Sequence, residues 1–252
     1  AGLAGQTLHL VSGLPVRAFY RHDGQRRSEA IVKKCDNLKL PVRPFPRQSE
    51  KGPQAVPPAR IAFHEVIPEA LAAWYDYVIL TSEEGVSLDA DRVNAPIAIV
   101  DIGGRTTDYV VVQDQGVVHG SSGSLNRGLL DVKNQIAQGV RDAFDLDHLG
   151  EQRVAAAMAH QSIRLHGENH DISELVQIAH GELVERLYTE TRRLLGQGAE
   201  LDRVLFVGGG SAALAKNIMD WFPNQQIAEQ PAFANARGML KYLQYVCDEN
   251  PD

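Results

Sequence analysis

The chain has no uninterrupted apolar run long enough to span a bilayer and no signal peptide, so a membrane-embedded or secreted protein is not expected. It has only two cysteines, Cys35 and Cys247, far apart and without metal-ligand spacing, which fits free thiols in a reducing cytosol. No HExxH motif or comparable metal set occurs. The nine histidines include His160, His166 and His170 at spacings of six and four, which read as surface or satisfied core residues. There is no excess of positive charge: 25 Lys and Arg stand against 32 Asp and Glu. A formal net charge of −7 argues against a general nucleic-acid-coating surface. What remains is an ordinary soluble composition of 252 residues, enough for one large or two modest cores.

Against that background one stretch stands out, IAIVDIGGRTTDYVVV at 97–112. Ile97 to Val100 is an apolar, β-branched run that reads as a buried strand delivering Asp101 at its end. Gly103 and Gly104 permit a sharp reversal and close backbone approach. Arg105, Thr106 and Thr107 follow, and Thr107 to Val112 reads as the returning strand. Such a tip can present N–H donors and hydroxyls to phosphate oxygens, with Asp101 placed to hold Mg²⁺ through water or to orient an attacking water. An ordinary Gly-Gly hairpin fits the same residues. A second cluster lies about a hundred residues on. Val204 to Val207 is another apolar strand, running into Gly208, Gly209, Gly210 and Ser211 and then a helical stretch, Ala212 to Trp221. Glycines between a strand and a helix let backbone lie directly against a flat ligand or a phosphate.

Taken together, the two clusters resemble the actin, sugar-kinase and heat-shock-chaperone ATPase superfamily. Its second phosphate loop is a D-x-G-G-x-T-x-D-like hairpin and its adenosine motif is strand-G-G-G-S-helix. The nearest resemblance is to the plasmid-segregation actins of the ParM/StbA family, over Leu8 to Leu243. That resemblance implies an α/β, actin-like (ribonuclease H-like) fold of mixed sheets flanked by helices. It implies ATP or GTP with Mg²⁺ as cofactors, with the hairpin and the glycine turn meeting the nucleotide from opposite sides. It also implies self-association into filaments, a cytoplasmic setting, and a DNA-bound adaptor of ParR type as partner, with no direct nucleic-acid contact. The family's first phosphate loop, an N-terminal D-x-G segment, has no counterpart before Thr7, so the fold is expected to be N-terminally incomplete. Arg105 stands where the family has a small or hydroxyl residue. A non-hydrolysing scaffold of division or pilus type, or a sugar or acetate kinase, shares the two motifs and stays open.

Read in order, Thr7 to Leu14 is a strand ending at Gly13-Leu14-Pro15. Arg21 to Lys51 is the one basic tract, with nine Lys or Arg against four acids. It carries Pro41, Pro44 and Pro46 and is either a solvated charged segment or an electrostatic contact surface. Gly52 to Pro58 reads as a connector, Arg60 to Val66 as a strand, and Pro68-Glu69 as the start of a helix through about Val78. The family resemblance makes Glu69 the residue that orients the hydrolytic water. Thr81 to Pro96 reads as a loop at the domain boundary and Gly116 to Ser121 as a third strand. Leu129, Val132, Ile136, Val140 and Phe144 mark the core face of an amphipathic helix, with Gly128 near its start as a further candidate contact. Helices are expected at Leu149 to His160 and Ile172 to Leu195 around a short strand, Ser162 to Leu165. By resemblance, Glu182 and Arg186 lie in the region that meets ribose or base. Ala232 to Val246 is a last helix in which Gly238 permits close packing. The resulting division is 1–96 as the remainder of a first domain, 97–229 as a second, and 230–252 as a helix returning to the first.

Overall fold

The computed structural model describes residues 3, 5–40 and 59–247. Strand β1 (Thr7–Leu14) leads through a four-residue helix α1 (Val16–Phe19) to α2 (Ser28–Leu38), which occupies the first part of the basic tract. The prolines of that tract and the 52–58 connector lie outside the described residues. Strand β2 (Arg60–Pro68) pairs in parallel with β1. Pro68 then caps α3 (Glu69–Val78), so it ends the strand rather than opening the helix.

The segment 81–96, expected as a loop, contains regular structure. A hairpin of β3 (Ile79–Ser82) and β4 (Gly85–Leu88) is followed by α4 (Ala90–Asn94), whose cap Asp89 accepts the Arg92 N–H at 3.1 Å. All four residues of β4 are exposed, so no inward-facing apolar set announces the strand.

The central sheet has six strands. β5 (Ile97–Ile102) lies between antiparallel β6 (Thr107–Gln113) and parallel β11 (Arg203–Val207), and β12 (Gln225–Ile227) extends the far edge. The expected third strand is shorter than its pattern. β7 (Gly116–Val117) gives way to a 3-10 turn at His119–Ser121, and β8 (Gly123–Leu125) resumes pairing with β6. The helix α5 (Leu129–Phe144) follows as its spacing predicts, then α6 (Glu151–His160), the hairpin β9 (Ser162–Leu165) and β10 (Glu168–Asp171), and α7 (Ser173–Leu195). The last elements are α8 (Gly208–Ala213) and α9 (Ala234–Tyr245).

Side chains of the central strands alternate between two cores, as the period of a strand requires. Ala98, Val100, Ile102, Tyr109 and Phe206 face α5 and α7. Ile97, Ile99, Val110, Leu205 and Val207 face α3 and the start of α9. Because both faces are covered, β5 is buried from end to end and reads as a continuous apolar run. The result is a mixed α/β architecture with helices on both faces, and the carboxyl ends of β5 and β11 side by side.

Candidate functional site at the ends of two neighbouring strands

Val207 pairs with Asp101, so the hairpin that leaves β5 and the glycine turn that leaves β11 emerge together. They emerge at the same end of one sheet, side by side on neighbouring strands rather than facing each other. The contact is intimate. A Cβ built on Gly208 would lie 2.3 Å from Asp101 Oδ1 and 2.5 Å from the Ile102 carbonyl oxygen, and Gly208 has φ +86°. Both the space and the backbone conformation demand glycine. Gly210 is pressed in the same way on Ile102, whereas Gly209 is exposed with open space above it. The three glycines form the first turn of α8, so the helix begins and ends earlier than the expected Ala212 to Trp221. Buried glycines here override their low helix propensity because no side chain fits.

The hairpin tip is built by different forces. Gly103 donates to the Thr106 carbonyl at 2.9 Å, and a Cβ on Gly103 would lie 2.9 Å from that same oxygen. The start of α5 docks on the tip: the Leu129 and Leu130 N–H groups donate to the carbonyls of Gly103 and Gly104 at 3.2 and 2.8 Å. Gly128 permits this, since a Cβ there would come within 2.6 Å of both carbonyl oxygens. Its own N–H donates to Asp131 Oδ2 at 2.8 Å. The amides at this helix start therefore hold the hairpin in place.

The hydroxyls are likewise engaged. Thr106 donates to Asp108 Oδ2 at 3.0 Å, fully buried Thr107 to the Arg127 carbonyl at 3.0 Å, and fully buried Ser211 to the Val207 carbonyl at 2.5 Å. Gly104 and Arg105 are the exposed residues of the tip.

Three carboxylates sit within one another's field. Asp101 is buried, and burial pushes its carboxyl up to about 7, with the charges of Asp108 and Glu69 adding to the shift and a 2.6 Å hydrogen bond from Asn235 Nδ2 opposing it. Burial also raises Asp108, although it accepts from the Val16 N–H at 2.8 Å, from Ser124 and from Thr106. Glu69, at the first position of α3, is raised by burial and by Asp108, while Lys34 pulls the other way. Its side chain lies over Gly13, where a Cβ would meet Glu69 Cγ at 2.2 Å, so the glycine one residue before the end of β1 makes room for it.

Glu182 and Arg186 of α7 line a cavity of about 200 Å³ together with Arg127, Asp131 and Gln135 of the α5 region, next to the docked helix start but without the glycine turn in its walls. A larger cavity of about 400 Å³ between α3, β12 and α9 contains none of these carboxylates. Asp76 there binds Arg237 and Lys241.

Asp108, Asn235 and Gly13 belong to this arrangement and were not singled out from the sequence. Asp108 had a signal, a carboxylate at the end of the same motif as Asp101. Asn235 had none, because its contact spans 134 positions.

The chain matches a family model described as archaeal actin homologue MreB-like, C-terminal, over residues 99–220, a little under half its length. No curated protein sequence matches it. Among solved structures it is similar to a non-polymerisable quadruple mutant of pCBH ParM, at 20% identity and TM-score 0.70, covering 93% of this chain and 67% of that one. It is similar also to a 15-stranded ParM filament from Clostridium botulinum, at 19% identity and TM-score 0.68, covering 93% and 66%. An archaeal actin homologue in complex with ADP matches at 18% identity and TM-score 0.64, covering 92% and 70%. The fold is thus actin-like, and the chain spans about two thirds of the length of the structures it matches.

Proposed function

We propose that the chain is the nucleotide-binding part of an actin-like protein that takes ATP or GTP with Mg²⁺ and assembles into filaments with copies of itself. The observation that carries this reading is the seating of Gly208 against Asp101, which joins the two motifs into one surface at the carboxyl ends of adjacent parallel strands. In this reading the exposed tip at Gly104 and Arg105, with Gly103, Thr106 and Thr107 shaping it, faces the phosphates. Gly208, Gly209, Gly210 and Ser211 form the adenosine side, and Glu182 and Arg186 border the neighbouring cavity.

Among the described residues no group of three or more His, Cys, Asp or Glu is placed to hold a metal. Mg²⁺ would be held by phosphate oxygens and by Asp101 through water. The buried Asn235 Oδ1, without a partner beside Asp101, suits a water in that position. The metal supplies charge neutralisation at the transferring phosphoryl group. Glu69, raised by burial, orients the attacking water, and Asp101 holds the metal's water shell. Turnover would alter the angle between residues 1–96 and 97–229, bridged by α9, and loosen the filament. Segregation of plasmid copies through a DNA-bound adaptor of ParR type is the role we assign. The alternative that shares the same two motifs is a scaffold that polymerises without hydrolysis.

Two measurements decide. Adding Mg-ATP or Mg-GTP to the whole protein should raise light scattering, and a flat signal over a wide concentration range would remove polymerisation. Glu69→Ala should slow phosphate release about a hundredfold while nucleotide affinity stays within about twofold. Equal loss of both would take Glu69 out of its role, and absent release in the unaltered protein would select the scaffold.

A further inference from the structure

The segment that follows α1 folds back on the edge of the central sheet. Arg21 N–H donates to the Gln25 carbonyl at 2.8 Å, Arg27 N–H to the Phe19 carbonyl at 2.7 Å, and Tyr20 bridges to Arg26. The His119 ring stands edge-on to Tyr20 at 4.7 Å and fills the space over Gly24, where a Cβ would lie 2.7 Å from it. This packing sets Arg17, Arg21, His22, Arg27 and His119 around a cavity of about 80 Å³ floored by Val16, Ser122 and Gly123. Arg17 Nε lies 3.6 Å from the position of a Cβ on Gly123, so its guanidinium lies across the floor.

Among the described residues no carboxylate lines this cavity. Asp108 accepts from Val16, Ser124 and Thr106, and Asp23 from the Gln25 N–H at 3.0 Å; the charge of Arg17 is felt by Asp108 and Glu190, which leaves Arg21 and His22 as the cavity's less compensated side. The Ser122 hydroxyl is also engaged, accepting from Val111 N–H and donating to the Val118 carbonyl. Arg17, Arg21 and Arg27 bring three guanidinium groups to one small cavity, and Arg27 Nε also donates to the Tyr20 carbonyl at 3.0 Å. An oxyanion complements that charge, and the guanidinium fork matches tetrahedral oxygens with paired N–H donors.

We infer that this cavity is an anion site for a single phosphate-sized tetrahedral oxyanion, separate from the hairpin at Asp101. Part of the basic tract, Arg21, His22 and Arg27, therefore converges from an exposed surface on one small cavity. The inference stands whether or not a nucleotide binds at the hairpin.

Inorganic phosphate is the probe. Titrated at constant ionic strength against chloride and followed by calorimetry and phosphorus NMR, it should bind saturably at one site. The double variant Arg21→Gln/His22→Gln should weaken binding at least about tenfold, with an unchanged unfolding midpoint in chloride, because no packing contact depends on those two exposed side chains. Lys33→Gln removes a charge from exposed α2 outside the cavity and should leave affinity unaltered. The inference fails if phosphate does not saturate by about 10 mM, if the double variant binds as before, or if Lys33→Gln weakens binding equally. It also fails if Arg105→Gln abolishes binding, which would place the phosphate at the hairpin.

Discussion

Gly238→Ala should destabilise the protein by about 3–5 kcal/mol, among the largest effects available to a single methyl group. Gly238 lies in the middle of α9, where a Cβ would sit 1.7 Å from the Ala72 carbonyl oxygen, 2.5 Å from its carbon and 3.2 Å from Asp76 N. These are backbone atoms of α3, a helix buried along this face, so no side-chain rotation relieves the overlap. The two helices must separate, and with them go the Arg237–Asp76 pair at 2.6 Å and the Lys241 bonds to the Asp76 and Ile79 carbonyls at 2.8 and 2.7 Å. Because α9 also carries Asn235 to Asp101, the candidate site should loosen at the same time. The same substitution at Gly181, exposed inside α7 with no atom within 4 Å, should stabilise by about 0.5–1 kcal/mol through helix propensity alone. Urea unfolding of both variants tests the argument. Similar small effects at the two positions would mean that α9 does not pack on α3 as described.

The possibility of a close approach at Gly238 was legible from the sequence, but its partner was not, since nothing local in α9 points to Ala72. Legibility followed burial more generally. β5, β6 and α5 each bury an apolar face, and their periods mark them within a residue or two. β10 is polar, and β4 leaves its two apolar residues, Val86 and Leu88, exposed; each pairs with its hairpin partner alone among the described strands, so no buried face marks either. The glycine turn misled in a different way. Gly208 and Gly210 look like helix breakers, yet they open α8 because Asp101 and Ile102 occupy the volume a side chain would need. Likewise the hydroxyls of Thr107 and Ser211 looked available for a ligand, but the fold turns both inward to backbone carbonyls. Motif identity located the site; which atoms of the motif face outward depended on contacts with residues far along the chain.

Asp101→Asn should stabilise the metal-free protein at pH 8 by a few kcal/mol and leave it nearly unaltered at pH 4. The Asp101 carboxyl sits at about 7 in the folded chain against an ordinary value of 3.8, chiefly because burial strips water from its charged form. A raised folded value means that the native state holds a proton which the unfolded chain has released. The associated stability is therefore complete below about pH 4 and is lost as pH rises through 7. That gap corresponds to on the order of 4 kcal/mol, an upper figure because Asp108 and Glu69 titrate in the same field. Asparagine stays neutral throughout and keeps an oxygen for the Asn235 Nδ2 donor, so the difference between the two proteins isolates the ionisation. Chemical unfolding in chelator at pH 4 to 8 gives the comparison, and a pH-independent difference would show that the carboxylate is not strained by burial. The same charge is what a cation and its water shell would stabilise. If nucleotide binds as proposed, Mg-ATP or Mg-GTP should release a proton from the native protein near pH 7 and not from Asp101→Asn, so the variant that folds better should bind metal-nucleotide worse.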